Sequence, residues 1–475
     1  MFYIIDYLSY LLIYLDNEDS EEYKMLKRLG VKLVHVPSLA SNLKSLTSSS
    51  SSSSSSSTTT KTLKMLPHKQ DGALVLYTSG TTGRPKGVLH TRAGLQSSIQ
   101  ALSQAWEYSD KDRILHFLPL HHLHGVLNKL LCIMWAGGTI EFSKSSNTVQ
   151  IWKRLAKEIN ENNKLTVFMA VPTVYARMLE DVRKIKSNEI DINSNVLTSS
   201  DIEKAVIAIK KMRLMACGSA ALPDPIMDQW LELSGHILLE RYGMTELGMV
   251  LSNPYKGIRR KGFVGIPLPL VECRIVGDDE KEIVNSEQPG ELRVRGPNVF
   301  NRYLNKQDAT RESFDKEGWF KTGDTAIFIE DYISNENNQK KERIYKLLGR
   351  TSTDIIKSSG YKLSALEIER ELLAHPQIVE AAVIGKKDDV YGETVTAIIT
   401  IRSSIENNIN FDKNLLIESN LESKKILEKM RQFLESRLAS YKQPRIYHIV
   451  SSIPRNHLGK VNKKTLMKDL GIEIK

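Results

Sequence analysis

The chain has 475 residues, 41% of them hydrophobic, a formal net charge of +10 and three cysteines. That length exceeds one ordinary domain and allows two or three, each with a sizeable core. The scattered Cys132, Cys217 and Cys273 exclude a disulfide framework and any metal-type spacing, so a reducing compartment is the default. The positive balance favours anionic ligands, and small anions rather than nucleic acid, because no basic block is interleaved with aromatics.

Taken in chain order, the start MFYIIDYLSYLLIYL is apolar but carries Asp6 and is shorter than a bilayer span. It lacks the basic start of a signal peptide and the arginines of a transit peptide. A buried amphipathic helix is expected rather than stable membrane insertion, with a membrane anchor as the alternative. The run Ser48 to Ser57, continued by Thr58 to Thr60, cannot bury apolar surface and predicts a disordered linker. ALVLY (73–77), VFMAV (167–171), RLMAC (213–217) and HILLE (236–240) predict buried strands, and 93–106 a helix. This alternation predicts layered α/β structure. After Gly349-Arg350 the texture changes. Ser364 and Glu367 predict a capping box opening a helix that ends near His375-Pro376. EAAVIG (380–385), VTAIITI (395–401) and RIYHIV (445–450) predict strands, and 421–438 a charged helix. The expected division is 1–46 as the residual start of a large α/β domain, 47–60 as linker, 61–349 as the main large domain, 350–354 as hinge and 355–475 as a small mobile α+β domain.

YTSGTTGRPKG (77–87) follows the strand ALVLY. Its glycines let backbone N–H groups approach a ligand, and its hydroxyls, Arg84 and Lys86 add donors; all of these suit phosphate. It is not a Walker A loop: the GxxxxGK[ST] spacing is missing and Pro85 stands where a helix would begin. A plain glycine-rich turn is the alternative. The string resembles the phosphate loop of the AMP-forming adenylating enzymes, which include the acyl-CoA synthetases. RYGMTE (241–246), WFKTGD (319–324), Gly349-Arg350 with DIIKSSGYK (354–362) and PRNHLGK (454–460) follow in that family's order.

The resemblance implies ATP, Mg²⁺ and coenzyme A as co-substrates and cofactor, and small-molecule partners. It implies that Thr78, Ser79, Gly80, Thr81, Thr82, Gly83 and Lys86 embrace the β- and γ-phosphates. Tyr242, with Gly243, would stack on adenine, and Thr245 would bond the α-phosphate. Glu246 would hold Mg²⁺, a hard cation that prefers oxygen. Asp324 and Arg350 would take the ribose hydroxyls. Lys460 would bridge the attacking carboxylate and the α-phosphate. Asp354 would be the pivot about which the small domain turns, with Gly360 and Lys362 facing the site in the CoA step. Two departures stand out: Thr351-Ser352-Thr353 is one residue longer than usual, and Ser359 replaces a frequent glycine.

The stretches 118–132, 167–175, 213–223 and 238–254 resemble the malonyl-CoA synthetase branch. The expected reaction is ATP-dependent ligation of malonate to CoA. Methylmalonate, a short or medium fatty acid, or an inactive nucleotide-binding remnant are the alternatives. By this resemblance Arg259 takes the second carboxylate, as a bidentate arginine can, and His122 and His124 shape the acyl site. Members of the family carry a longer segment before the phosphate loop, so a truncated start is expected here. A mitochondrial location is implied by the branch, with the cytosol as alternative.

Overall fold

The computed structural model describes residues 72–78, 85–143, 145–157, 164–187, 197–332, 341–402, 421–455, 461 and 463–471. The predicted amphipathic start, the serine tract, the loop residues 79–84 and Lys460 lie outside these.

VFMA and LMACG are buried at every position because the sheet they belong to is covered on both faces, which a mostly parallel sheet requires. Seven strands lie in the spatial order Thr139–Phe142, Arg113–His116, Val167–Ala170, Leu214–Gly218, Leu239–Met244, Gly248–Ser252 and Ile266–Pro267. The first five are parallel and the last two turn back antiparallel. Side chains alternate between the faces. Val167, Met169, Leu214 and Ala216 join a core with Leu102, Trp106 and Leu127. Phe168, Ala170, Met215 and Cys217 join a second core with Trp152, Tyr175 and Trp230, from helices Thr148–Ala156, Pro172–Lys186 and Asp224–Ser234. HILLE becomes strand only from Leu239.

Two smaller sheets flank this layer. Gly72–Thr78 and Lys86–Thr91 form a hairpin, extended by Arg302–Tyr303. Its last pair, Thr78 opposite Lys86, puts the glycine-rich loop at the hairpin tip. Thr91 caps the following helix, Arg92–Ala105, by accepting Gly94 N–H at 3.0 Å. An antiparallel four-stranded sheet orders Glu272–Val276, Gly290–Arg295, Phe320–Tyr332 and Lys341–Arg350, and its register sets Asp324 opposite Arg350.

The C-terminal domain is a five-stranded sheet. Helices Ala365–Leu373 and Leu421–Glu435 cover one face through Ile368, Leu372, Met430 and Leu434. Ser364 accepts Glu367 N–H at 3.1 Å, but the capping box is half made. The Glu367 carboxylate takes Lys442 at 2.8 Å instead, since an ammonium outbids a neutral N–H. The hairpin Ile355–Ser358/Tyr361–Ser364 turns through Ser359 and Gly360 at φ 51° and 83°. A two-residue turn of this hand needs positive φ at both positions, so Ser359 occupies backbone that glycine favours. Lys362 pairs with Asp278, and Arg370 lies 3.4 Å from Asp224, joining the two domains. Among the described residues no helix is long and apolar enough to cross a membrane.

Candidate active site

The strand Leu239–Met244 carries the site's two halves on consecutive residues. Alternation sends Arg241 and Tyr242 to opposite faces.

On Tyr242's side the polar groups are paired. Its hydroxyl donates to Asp324 Oδ2 at 2.5 Å, and Arg350 Nε lies 2.9 Å from Asp324 Oδ1. Arg350 also donates to Thr322 O at 2.9 Å. Burial and the neighbouring Asp324 carboxylate hold the Tyr242 hydroxyl well above its usual range, so it stays a donor. The turn after the strand holds Thr245 and Glu246. Buried His90 donates from Nε2 to Thr245 O at 2.7 Å. Burial pushes His90 down to about 4, which keeps the ring neutral and the turn fixed. Glu246 Oε1 accepts the Tyr303 hydroxyl at 2.8 Å, and burial raises its carboxyl. Lys86 Nζ stands 4.9 Å from the Tyr303 ring centre. Lys86, Tyr303 and Glu246 thus line up beside the hairpin tip. Thr78 ends the strand on the other side of that tip. Gly243 has no room for a side chain: a Cβ would meet Gly248 O at 2.1 Å.

Among the described residues no cluster of three or more metal-type side chains exists. A Mg²⁺ held mainly by nucleotide phosphates needs no such cage and is satisfied with one or two carboxylates. Glu246, with one oxygen committed to Tyr303, fits that limited part.

On Arg241's side the groups are buried and under-partnered. Arg241 is 4% exposed, and among the described residues its guanidinium reaches only Ser219 Oγ, at 3.4 and 3.5 Å. Burial lowers it to about 10. Gly218 makes the space: a Cβ there would stand 2.7 Å from Arg241 Nη1. His124 Nδ1 is 3.3 Å from Ser219 Oγ, and among the described residues its buried Nε2 has no hydrogen-bond partner. Neither amide atom of fully buried Asn128 finds one there. His124 and Asn128 lie on a π-helical stretch, His124–Leu131, a local form that recurs at functional sites. His122 precedes it, next to His121 with ring centres 4.2 Å apart. Lys129 is fully buried, donates to Met169 O at 3.0 Å and sits 3.9 Å over Phe117.

Arg259 does not stand free to receive a carboxylate. Its guanidinium donates to Pro254, Ile237 and Tyr255 carbonyls at 3.1, 2.5 and 2.7 Å, closing its own loop. Arg260 pairs with Asp331. Sequence reading overlooked Arg241, although it lies inside the RYGMTE motif. The available signal was a cation directly after the buried run HILLE. Ser219, His90 and Tyr303 carried no comparable mark. Gly360 and Lys362 lie on the hairpin of the small domain. A Cβ on Gly360 would meet nothing within 4 Å, while Lys362 is engaged by Asp278.

The sheet order and the smaller C-terminal domain give the chain the fold of the adenylate-forming family. The chain belongs to the AMP-binding enzyme family: that family's model matches residues 9–304, and the model of its C-terminal domain matches residues 367–460. The mitochondrial malonate–CoA ligase ACSF3 of Mus musculus is 42% identical over 419 residues, covering 84% of this chain and 64% of that protein. The chain therefore spans less than two thirds of that relative's length. ATP-bound MatB from Rhodopseudomonas palustris aligns with a TM-score of 0.66 at 32% identity, over 85% of this chain and 69% of that one. A malonyl-CoA ligase product complex with methylmalonyl-CoA and AMP aligns with a TM-score of 0.50 at 34% identity, over 82% and 73%.

Proposed function

We propose that this chain carries out ATP-dependent ligation of malonate to coenzyme A. One carboxylate oxygen of the acid attacks the α-phosphorus of ATP and pyrophosphate leaves. The CoA thiol then attacks the acyl carbon, the bond to AMP breaks, and the thiol proton is lost to solvent. Tyr242, Asp324 and Arg350 hold the nucleoside. The loop 78–86 takes the phosphates, with Lys86 set beside Glu246 and Tyr303. Thr245 meets the α-phosphate, and Lys460 stabilises charge as it develops there. Mg²⁺, when bound at Glu246, neutralises phosphate charge. Gly360 leaves room for the pantetheine arm.

The observation that carries the choice of acid is Arg241. A buried guanidinium with no carboxylate partner is costly, and a substrate's second carboxylate removes that cost with a charge-assisted bond. Ser219 and His124 complete that end. We therefore assign the second carboxylate to Arg241 rather than Arg259. A fatty acid would leave the cation beside an alkyl chain. A mitochondrial location rests on the mitochondrial relative. The test is pyrophosphate release from ATP-Mg with malonate, methylmalonate, acetate and butyrate in parallel. Malonate is expected to lead. A preference for butyrate would end the dicarboxylate reading.

A further inference from the structure

Glu240 directly precedes Arg241 in the strand Leu239–Met244, and neither half of the site uses it. It is 5% exposed. Its Oε1 accepts Gly262 N–H at 3.2 Å. Its backbone carbonyl accepts the N–H and Nδ2 of Asn253, both at 3.0 Å, and Asn253 Nδ2 also donates to Phe263 O at 2.6 Å. Glu240 thus clamps both ends of the loop 253–263, which Arg259 closes from within. Burial pushes its carboxyl up to about 7. The first charge opposing that rise is Arg370 of the small domain, and Asp224 adds to it.

Arg370 belongs to helix Ala365–Leu373. Its guanidinium lies over Gly262: a Cβ there would meet Nη1 at 2.1 Å and Cζ at 3.0 Å. Gly262 also has φ 75°, backbone that glycine favours, so one residue supplies both the turn and the space. Arg370 Nε is 3.4 Å from Asp224 Oδ1, and its side chain is 17% exposed. Lys346 stands near enough for Arg370 to help lower it, so Asp224 and Glu240 answer two cations. A lone exposed ion pair would hold two domains weakly. A largely buried guanidinium set against two carboxylates and bare backbone is demanding in geometry, because its donors form a rigid fork.

We infer that Glu240, Asp224 and Gly262 form a seat for Arg370 that latches the small domain to the large one in this orientation. In it the hairpin of Gly360 and Lys362 is held at Asp278, whose side chain is 86% exposed, and Gly360 faces open space. In the CoA step that hairpin has to reach the acyl carbon, a part that rests on the ligase reading. Arg370 then has to leave its seat, a hinge transition between two discrete packings. Because Glu240 adjoins Arg241, the strand proposed to take the acid is also the strand that holds the latch.

The test uses the full chain as Arg370→Gln and Arg370→Lys. Amide hydrogen exchange reads the latch without any turnover. In Arg370→Gln, residues 256–263 of the large domain are expected to exchange about tenfold faster, the scale of one charged hydrogen bond. The strands Ile378–Asp388 and Gly392–Ile401 should keep their protection, and Arg370→Lys should recover much of the loss at 256–263. Unchanged protection at 256–263 would overturn the proposal. So would equal loss across the small domain's strands, which would make Arg370 a residue of its own domain's stability. Should Arg370→Gln fail to fold, Asp224→Asn, on the half-exposed rim, carries the same pattern at smaller size. The half-reactions, assayed separately, read the consequence. Thioester formation from preformed malonyl-adenylate should rise severalfold in Arg370→Gln, with KM for ATP unchanged. A fall, or no change, would overturn the link between the latch and the CoA step. A wild-type chain that forms neither adenylate nor thioester with any acid would remove the ligase reading, while exchange would still decide whether the latch exists.

Discussion

The two faces of strand Leu239–Met244 are built on opposite principles. On the face proposed to take the nucleotide, Tyr242, Asp324, Arg350, Glu246 and Tyr303 satisfy one another. On the face proposed to take the acid, Arg241, His124 and Asn128 are buried, with donors and acceptors left over among the described residues. A nucleotide brings many polar groups and can trade one hydrogen bond for another at little net cost. A small acid brings few atoms, so its site has to store the driving force as unmet polar demand. Selectivity should accordingly reside on the acyl face and shared chemistry on the nucleotide face.

The largest expected effect falls on the step that both faces would serve. Lys460→Ala should lower pyrophosphate release on the order of a thousandfold, as loss of a transition-state donor does. Thioester formation from preformed malonyl-adenylate should survive. Loss of both steps together would show that Lys460 does not act in one half alone.

Next comes the acyl face by itself. Arg241→Leu should reduce kcat/KM for malonate by about a hundredfold, the scale of removing one partner of a buried charged contact, with a much smaller loss for butyrate. Arg259→Leu should reduce both acids alike, by loosening its loop. If Arg259 proves the selective position, the contrast between the faces collapses.

Asp324→Asn is the matching change on the nucleotide face. It keeps the shape and removes the charge that Arg350 and Tyr242 share. KM for ATP should rise roughly tenfold, the scale of one charged hydrogen bond, with the ranking of acids unchanged. A reordered ranking would mean that the two faces are coupled.

A separate effect falls on stability and not on rate. Burial lowers His90 and His116 to about 4, while an unfolded histidine titrates near 6.5. The unfolded chain therefore binds more protons between these values. Stability present above pH 6.5 is lost as pH falls toward 4, by on the order of a few kcal/mol. Melting temperature followed across that range should drop, and His90→Gln should drop less steeply. A parallel decline in both would exclude His90 as a contributor.

Much of the fold was legible because it follows local rules. VFMAV and RLMAC read as buried strands because both faces of a parallel sheet are covered. Ser364 read as a helix start because a cap needs only its own neighbours. Glu367 was misread in part because Lys442, its partner, lies far along the chain and no local pattern announces it. The residues proposed to hold the nucleotide sit in short motifs, because phosphate and ribose demand fixed backbone shapes. The acyl site was less legible. Arg241 and Arg259 are equally charged on paper, and only tertiary contacts separate them: three carbonyls absorb Arg259, while among the described residues Arg241 meets a single hydroxyl.

The sequence by itself determined the family, the order of its motifs and the two-domain plan, since these depend on residue type and spacing along the chain. Tertiary structure decided that Arg259 is held by carbonyls while Arg241 is buried, that Glu367 serves Lys442, and that Lys463 is bound to the turn after Arg350. The physical reason is the same in each case. A charge is defined by its sequence, but the worth of that charge depends on burial and on the partners within a few ångströms, and those are brought together only by folding.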